Sequence, residues 1–268
     1  MQKILTLTTI LLIFFTLSFL YLYKTSLPKE VKATISVVST SSELSSSSSS
    51  SSNMEELPVV VNEAPKVCEA DCSLYPVNKV YALSEKYIPN NLTSIPFSKS
   101  DKLSKEAADA LNNLFLDAKS KKINIRVISA YRSFATQRTT FDNWMNGELK
   151  KGKTKAQAEE SANTYSAKEG HSEHQLGTTV DLACSSCTSF DNSKNNLALY
   201  KYLEENAYKY GFAISYYKNS ESLTGYIYEP WHIRYIGKEL AEEFYLRDYL
   251  SQNGEYLSKF LYSKWLLR

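Results

Sequence analysis

The sequence predicts an α+β domain, and two observations carry this prediction. Segments with the apolar spacing of helices occur among short strand-like segments at irregular intervals, whereas a parallel α/β fold would show a regular strand–helix repeat. The hydrophobic share of 43% in 268 residues is ample for a packed core. No internal repeat is visible.

Three helices are predicted in the first half of the domain, because a side chain able to cap a helix N-terminus precedes each of them. Thr154 and Gln157 have the spacing of a capping box. The N-caps and their helices are Ser104 (104–119), Ser133 (to about residue 144) and Thr154 (155–168).

The second half of the domain continues the mixed pattern. Apolar residues at helical spacing predict a helix around 197–207, which Gly211 can end in the left-handed geometry that glycine tolerates. Another helix is predicted over 238–250, and the stretch 255–268 is expected to pack on the core. Strands are predicted at 123–128, 180–183, 212–215 and 227–235.

The first 24 residues are predicted to anchor the chain in a membrane. The uncharged run 4–23 is long enough to cross a hydrocarbon core of about 30 Å. A cleaved signal peptide, the alternative, usually has a shorter apolar run and a small-residue cleavage site, whereas bulky residues continue here up to Lys24. Segment 1–24 is therefore interpreted as a transmembrane anchor.

Residues 25–77 are predicted to be a flexible linker. Serine dominates residues 34–52 and is unbroken from Ser45 to Ser52, a composition that buries too little apolar surface to offset the entropy of ordering the chain. The folded domain is predicted to be residues 78–268.

Charge and cysteine content narrow the possible partners and the compartment. The 31 basic and 29 acidic residues nearly cancel, so no nucleic acid is expected as a partner. The cysteines form two close pairs, Cys68 with Cys72 and Cys184 with Cys187, and three disulfide connectivities are possible. Disulfides or free thiols are favoured over a zinc held by four thiolates, because one pair lies in the linker-like region and the spacings differ.

Two of the three histidines lie within compact groups of polar residues. A catalytic zinc takes imidazole or carboxylate ligands at three positions and leaves the fourth open for water. His174, Asp181 and His232 supply such a set, and Glu229 is close enough in sequence to His232 to accept a proton from that water. Either group alone could be an ordinary hydrogen-bonded pair or a turn, but together they favour a metal site.

Three motifs, in order, resemble a known family. They are Ser129-Ala-Tyr-Arg132-Ser133 with Gln137, then Ser172-x-His174-x-x-Gly177-x-x-x-Asp181, then Glu229-Pro230-Trp231-His232-x-Arg234-Tyr235. In these motifs the sequence is similar to the zinc D-alanyl-D-alanine carboxypeptidases of the vancomycin-resistance type (peptidase family M15B) and to their L,D-carboxypeptidase relatives. The likeness runs from about residue 78 to about residue 250.

The resemblance implies a small antiparallel sheet flanked by helices, of the Hedgehog and D,D-peptidase type, with a cleft over the sheet. It implies zinc ligands at His174, Asp181 and His232, and a general base at Glu229. It also implies that Arg132 binds substrate and stabilises the developing oxyanion, for which a fixed cation is well suited.

Other residues near the motifs are expected to shape the cleft. Ser172 is interpreted as a substrate contact rather than a nucleophile, because no Gly-x-Ser-x-Gly motif surrounds it. Gln137 either faces the substrate or lies on a solvated helix face, and His171 is expected to line the cleft. Thr179 stands where the family commonly has a small residue, and Glu169 stands where it often has a proline. These two departures are expected to affect the shape of the loop more than the binding of the metal.

These inferences predict a monomeric, single-pass membrane protein that uses Zn2+ outside the cell to remove the terminal D-alanine from peptidoglycan stem peptides. The alternatives are an L,D-carboxypeptidase that trims tetrapeptides and a non-catalytic wall-binding module. The wall-binding alternative is disfavoured because every expected ligand and the base are present.

Overall fold

The computed structural model describes residues 66–98, 100–249 and 256–267. The predicted anchor and the serine run of the predicted linker lie outside these residues. Within the described ranges, no helix is both long enough and apolar enough to cross a membrane.

Short strands and helices are interspersed along the described chain, as predicted. The strands are β1 (Val67–Cys68), β2 (Ala82–Leu83), β3 (Leu92–Ser94), β4 (Lys102–Ser104), β5 (Ile125–Ser129), β6 (Thr179–Cys184), β7 (Phe212–Ile214) and β8 (His232–Tyr235). The helices are α1 (Lys105–Ser120), α2 (Phe134–Lys150), α3 (Lys155–Ala162), α4 (Lys194–Asn206), α5 (Glu221–Thr224), α6 (Lys238–Phe244) and α7 (Leu257–Trp265). Short 3-10 turns occupy Glu173–Leu176 and Ala207–Tyr210, and a π-helical turn occupies Tyr245–Tyr249.

The central sheet contains four antiparallel strands in the order β5-β6-β8-β7. Successive side chains of a strand point to opposite faces of the sheet. Val180 and Leu182 of β6 and Ile233 of β8 belong to the main core, which also contains apolar residues of α1, α4, α6 and α7. Asp181 and His232 alternate with these residues, so they face the other side of the sheet. The predicted α+β fold with a small antiparallel sheet is thus confirmed.

The three predicted N-caps are confirmed by hydrogen bonds from the first turn of each helix. The accepting side chains and donating backbone amides are Ser104 with Ala107, Ser133 with Thr136, and Thr154 with Gln157, the last completing a capping box. The predicted helix ends are less accurate. Helix α2 continues beyond residue 144. Helix α3 stops well before residue 168, and just after its end the Thr164 hydroxyl donates to the Ser161 carbonyl at 2.8 Å. That bond uses an acceptor at the helix end and competes with further helical pairing.

The strand predicted over 227–235 is observed only over its last residues, as β8. Pro230 has no N–H to donate to a sheet ladder. The backbone of His232 instead donates to the carbonyl of Glu229 at 3.1 Å, which closes a turn just before the strand. This turn directs Glu229 and His232 towards the same region. At the C-terminal end, Phe260 and Leu261 of α7 are buried, as the expected core packing requires.

Residues 66–77 are packed into the fold, so the predicted domain start at residue 78 is too late. Cys72 and Tyr75 are fully buried in a second cluster that also contains Leu83 and Leu176. Strand β1 pairs in parallel with β2. A disulfide, one aromatic ring and backbone contacts hold this stretch in place, and no amphipathic helix or strand is involved. Its sequence therefore shows no periodic pattern of apolar residues.

The cysteines form two local disulfides, Cys68–Cys72 and Cys184–Cys187. This pairing selects the disulfide alternative and excludes a zinc site built from the four thiolates. The second disulfide closes a short loop directly after β6, and the segment that carries Phe190 follows this loop.

Candidate metal centre

The register of the sheet brings two of the three predicted ligands together. Asp181 on β6 lies directly opposite His232 on β8, and Asp181 Oδ1 is 3.1 Å from His232 Nδ1. The other carboxylate oxygen, Oδ2, is 3.1 Å from His174 Nε2. All three ligand atoms lie within 4.8 Å of one another. The fold therefore brings together the three residues that the sequence motifs predict to be metal ligands.

His174 is presented by the 3-10 turn before β6. Its Nδ1 lies 2.7 Å from the carbonyl oxygen of Ala130. A carbonyl can only accept, so Nδ1 must carry the hydrogen and the lone pair must lie on Nε2. Nε2 is buried and has no hydrogen-bond partner among the described residues. A buried, unpartnered imidazole nitrogen aimed at a carboxylate is the arrangement expected for a metal ligand.

The donor set fits zinc. Two imidazole nitrogens and one carboxylate are ligands that Zn2+ takes in catalytic sites, and bonds of about 2.0–2.1 Å in tetrahedral geometry separate the donors by about 3.3 Å. Asp181 lies 3.1 Å from each histidine, through a different carboxylate oxygen in each case, and one ligand atom from each of the three residues lies within 4.8 Å of the others, which is close to this separation. His174, Asp181 and His232 would hold the ion and leave a fourth position for water or substrate.

The pKa values of the three ligands reflect burial and mutual contact. Burial lowers the pKa of His174 to about 4, with the charge of Arg132 adding to the effect, so its imidazole is neutral at pH 7. Burial acts to raise the pKa of Asp181, but its contacts with the two histidines hold it well below its ordinary range. Burial acts to lower the pKa of His232, but hydrogen bonds to Asp181 and Glu173 raise it to about 10. Metal binding would therefore release a proton from His232.

Glu229 lies beside the ligands, with Oε2 at 3.8 Å from His232 Nδ1. Burial raises the pKa of Glu229 to about 8, the neighbouring carboxylates of Asp181 and Glu173 add to this, and His232 and Arg132 oppose it. A buried carboxyl group whose pKa is close to neutrality is suited to accept and return a proton.

A cavity of about 460 Å3 opens over these residues and is called the site cavity below. Arg132 lines it, and the backbone N–H of Arg132 donates to the His174 carbonyl at 3.3 Å. Burial lowers the pKa of Arg132, while Asp181 and Glu229 act to raise it, so its guanidinium remains a cation. Much of the remaining wall is aromatic, including Phe190 stacked on Trp231 with ring centroids 4.6 Å apart.

The other predicted site residues occupy different places. Ser172 is buried, lines the site cavity and accepts a hydrogen bond from the His174 backbone at 3.4 Å. Gln137 is fully buried and lies behind the wall, where its amide donates to the carbonyl of Ala167 at 2.6 Å. It therefore supports the cavity instead of facing it or solvating a helix. His171 does not line the site cavity, and its Nδ1 is 2.8 Å from the Asn78 carbonyl.

Two buried charged residues beside the ligands were missed by the sequence analysis. Glu173 contacts His232 Nε2 at 3.0 Å, and Arg234 contacts Glu173 at 2.8 Å. Arg234 follows His232 by two residues in a strand, so both side chains lie on the same face of the sheet. In the sequence, the spacing of His232 and Arg234 and the acidic residue next to His174 were the features that could have predicted these contacts.

The fold and the site are those of an α+β protein with a candidate metal centre of three ligand residues. Comparison with known families gives the same result: residues 100–238, more than half of the chain, match the VanY family, described as D-alanyl-D-alanine carboxypeptidase. The chain belongs to the VanY family.

Two curated relatives share much of the chain. A D-alanyl-D-alanine carboxypeptidase of Enterococcus faecalis is 32% identical over 188 residues, which cover 68% of this chain and 67% of that protein. YodJ of Bacillus subtilis is 38% identical over 174 residues, which cover 62% of this chain and 60% of YodJ. The chain thus spans less than two thirds of the length of YodJ.

Solved structures support the same fold. VanYB in complex with D-alanine-D-alanine has a TM-score of 0.59 at 32% identity, covering 68% of this chain and 98% of that one. A mutant of the vancomycin-resistance D,D-pentapeptidase VanY in complex with Zn(II) has a TM-score of 0.61 at 31% identity, covering 70% and 98%. The LD-carboxypeptidase LdcB has a TM-score of 0.57 at 31% identity, covering 74% and 91%.

Proposed function

We propose that this protein is a zinc-dependent D-alanyl-D-alanine carboxypeptidase that removes the terminal D-alanine from peptidoglycan stem peptides. The observation that carries the proposal is the convergence of His174, Asp181 and His232 beside Glu229 in a cavity that Arg132 also lines. Membership of the VanY family and the likeness to a structure with bound D-alanine-D-alanine support the substrate class.

Each side chain has a role that its position supports. A zinc ion held by the three ligands would polarise the scissile carbonyl and lower the pKa of a water molecule. Glu229 takes a proton from the attacking water and returns it to the amine nitrogen of the leaving D-alanine, while the water oxygen bonds to the carbonyl carbon and the C–N bond breaks. Arg132 offers its cation to the substrate's terminal carboxylate or to the developing oxyanion. Ser172 contributes a hydroxyl to the cavity wall.

The proposal is tested by product analysis with two substrates. The full-length protein is purified in detergent, loaded with zinc and incubated with stem peptides that end in D-Ala-D-Ala or in a single D-Ala. Loss of one alanine from the D-Ala-D-Ala peptide, abolished by a chelator and restored by zinc, is the expected result. Cleavage that persists after the metal has been removed, or no cleavage of either peptide, would refute it.

The second substrate separates the proposal from the L,D-carboxypeptidase alternative. The likeness to LdcB favours keeping this alternative, because its identity and TM-score are close to those of the two VanY structures. All three share the fold, so the distinction must lie in the cavity wall that contacts the penultimate residue. Cleavage confined to the tetrapeptide would select the L,D activity.

The location is also a proposal. The uncharged segment 4–23 and the serine-rich stretch that follows support a single-pass anchor and a flexible tether, with the catalytic domain, a monomer, on the cell-wall side. Protease added to intact cells should remove the domain and leave a membrane-bound N-terminal fragment. Resistance of the domain in intact cells, together with cleavage after lysis, would contradict this placement.

A further inference from the structure

Glu173 is a buried carboxylate that contacts a proposed metal ligand without belonging to the ligand set. It is 2% exposed, and its Oε2 lies 3.0 Å from His232 Nε2. The opposite ring nitrogen, Nδ1, is the atom that faces Asp181 and Glu229. Glu173 therefore contacts the Nε2 edge of the imidazole, and the Nδ1 edge faces the proposed metal position.

The contact decides which nitrogen of His232 can bind a metal. A neutral imidazole carries its hydrogen on one nitrogen and its lone pair on the other. Both nitrogens of His232 face a carboxylate, Nε2 that of Glu173 and Nδ1 that of Asp181. Because Asp181 is itself a proposed metal ligand, a metal would displace the hydrogen from Nδ1, while Glu173 keeps the hydrogen on Nε2 and so leaves the lone pair on Nδ1. In His174 the Ala130 carbonyl plays the matching part, because it accepts from Nδ1 and leaves the lone pair on Nε2.

Glu173 is itself held by two donors. The Arg234 guanidinium donates to Oε1 at 2.8 Å, and the Ser215 hydroxyl donates to Oε2 at 2.6 Å. The second Arg234 nitrogen, Nη2, donates to the backbone carbonyls of Ser73 and Tyr75 at 3.2 and 2.8 Å. A fully buried guanidinium with fixed acceptors keeps the carboxylate charged and in place.

We propose that Glu173 is a positioning residue that selects the metal-binding tautomer of His232 and fixes the direction of its ring, with Arg234 and Ser215 holding Glu173. The inference rests on the zinc site of the proposed function. It extends that site to a chain of contacts from the ligand to the backbone of the segment around Tyr75. The carboxylate also places a negative charge behind the imidazole, which strengthens its lone-pair donation.

Glu173→Gln tests the proposal because an amide cannot satisfy all the neighbours. If its oxygen faces Arg234, its NH2 group meets His232 Nε2 and the Ser215 hydroxyl, where two acceptor contacts existed. If it is turned over, the NH2 group faces a cation. In the first orientation the amide favours the tautomer with hydrogen on Nδ1, which cannot bind the metal.

The measurement is the zinc affinity of the full-length protein by competition with a chromophoric chelator. The Co2+-substituted absorption spectrum is recorded as a second readout of ligand geometry. We expect Glu173→Gln to weaken zinc binding by about 10–100-fold and to change the Co2+ spectrum. Ser215→Ala removes one donor but leaves the ion pair intact, so it should weaken binding by about 2–10-fold.

Glu148→Gln is the matched control, because Glu148 is also a buried carboxylate in ion pairs, with Lys151 and Lys153 both at 2.5 Å. It does not contact a predicted ligand. Its zinc affinity and Co2+ spectrum should equal those of the wild type even if its melting temperature falls as far as that of Glu173→Gln.

The outcomes separate this inference from the proposed function. A folded Glu173→Gln protein with wild-type zinc affinity and Co2+ spectrum would overturn the positioning role. If that variant does not fold, Ser215→Ala decides: wild-type affinity and spectrum would overturn the role, and a weakened affinity would support it. Failure of the wild type to bind zinc would instead remove the metal site on which both proposals rest.

Discussion

Gly177 offers the most specific link between backbone geometry and the metal centre. It ends the turn that carries His174, with φ at +69°, and its N–H donates to the His174 carbonyl at 3.2 Å. An alanine there would pay about 1–2 kcal/mol for the left-handed backbone. Its methyl group would also lie 2.9 Å from Leu92 Cδ2 and 3.0 Å from Pro89 Cγ.

The steric part of the cost depends on which neighbour can move. The Leu92 side chain can rotate, whereas the Pro89 ring cannot, so the turn itself must shift. Overpacking of this kind costs about 1–3 kcal/mol, which brings the total for Gly177→Ala to about 2–5 kcal/mol. A shift of the turn also displaces His174, and zinc affinity should fall with stability.

Two other glycines provide the controls. Gly152 has φ at +87° but nothing within 4 Å of an added methyl group, so Gly152→Ala should lose only the backbone cost of about 1–2 kcal/mol. Gly147 lies inside α2, also in open space, and Gly147→Ala should stabilise the protein by about 0.5–1 kcal/mol.

Urea unfolding and zinc affinity are measured for all three variants. We expect the largest loss of stability for Gly177→Ala and wild-type zinc affinity for the other two. A Gly177→Ala protein that is no less stable than Gly152→Ala, or that binds zinc as the wild type does, would refute this reasoning.

Three further predictions concern pH, metal and catalysis. Hydrogen bonds from Lys151 and Lys153 lower the pKa of Glu148 from 4.5 to about 2, so its stabilising effect is complete above about pH 4.5 and is lost as the pH falls towards 2. The wild-type melting temperature should therefore drop more steeply across that window than that of Glu148→Gln, and parallel curves would contradict this. Zinc at about 100 times its Kd should stabilise the wild type by about 2.7 kcal/mol, which raises its melting temperature, but should leave the melting temperature of Asp181→Asn unchanged. An equal rise in both proteins would mean that zinc binds at another site. Arg132→Gln should lower kcat/KM by about 10²–10³ with zinc affinity unchanged, and full activity in that variant would remove Arg132 from the site.

The elements that the sequence predicted correctly are those whose signals are local. Ser104, Ser133 and Thr154 cap their helices because a hydroxyl next to free backbone amides needs no distant partner. The sequence singles out His174, Asp181 and His232 as candidate ligands because their chemistry is unusual among neighbouring residues and their motifs occur in a fixed order. Their convergence then follows from the register that places Asp181 opposite His232.

The elements that the sequence did not predict depend on contacts between distant residues. The packing of Tyr75 needs partners on β2 and the His174 turn. No local pattern pairs Glu173 with Arg234 or with His232, and only the fold buries Glu173 in contact with both of them. Gln137 was expected either at the substrate or on a solvated face, and tertiary packing placed it behind the cavity wall. Local patterns cannot supply such information.

The most direct test of the central claim compares wild type and Glu229→Gln at equal zinc occupancy, using release of D-alanine from a peptide that ends in D-Ala-D-Ala. Zinc content, measured on the same samples, should be the same in both proteins, because Glu229 is not one of the proposed ligands. The rate should fall by about 10²–10⁴ in the variant, since the amide cannot accept the proton of the attacking water. Equal rates at equal zinc content would contradict the assignment of Glu229 as the base and the mechanism built on it.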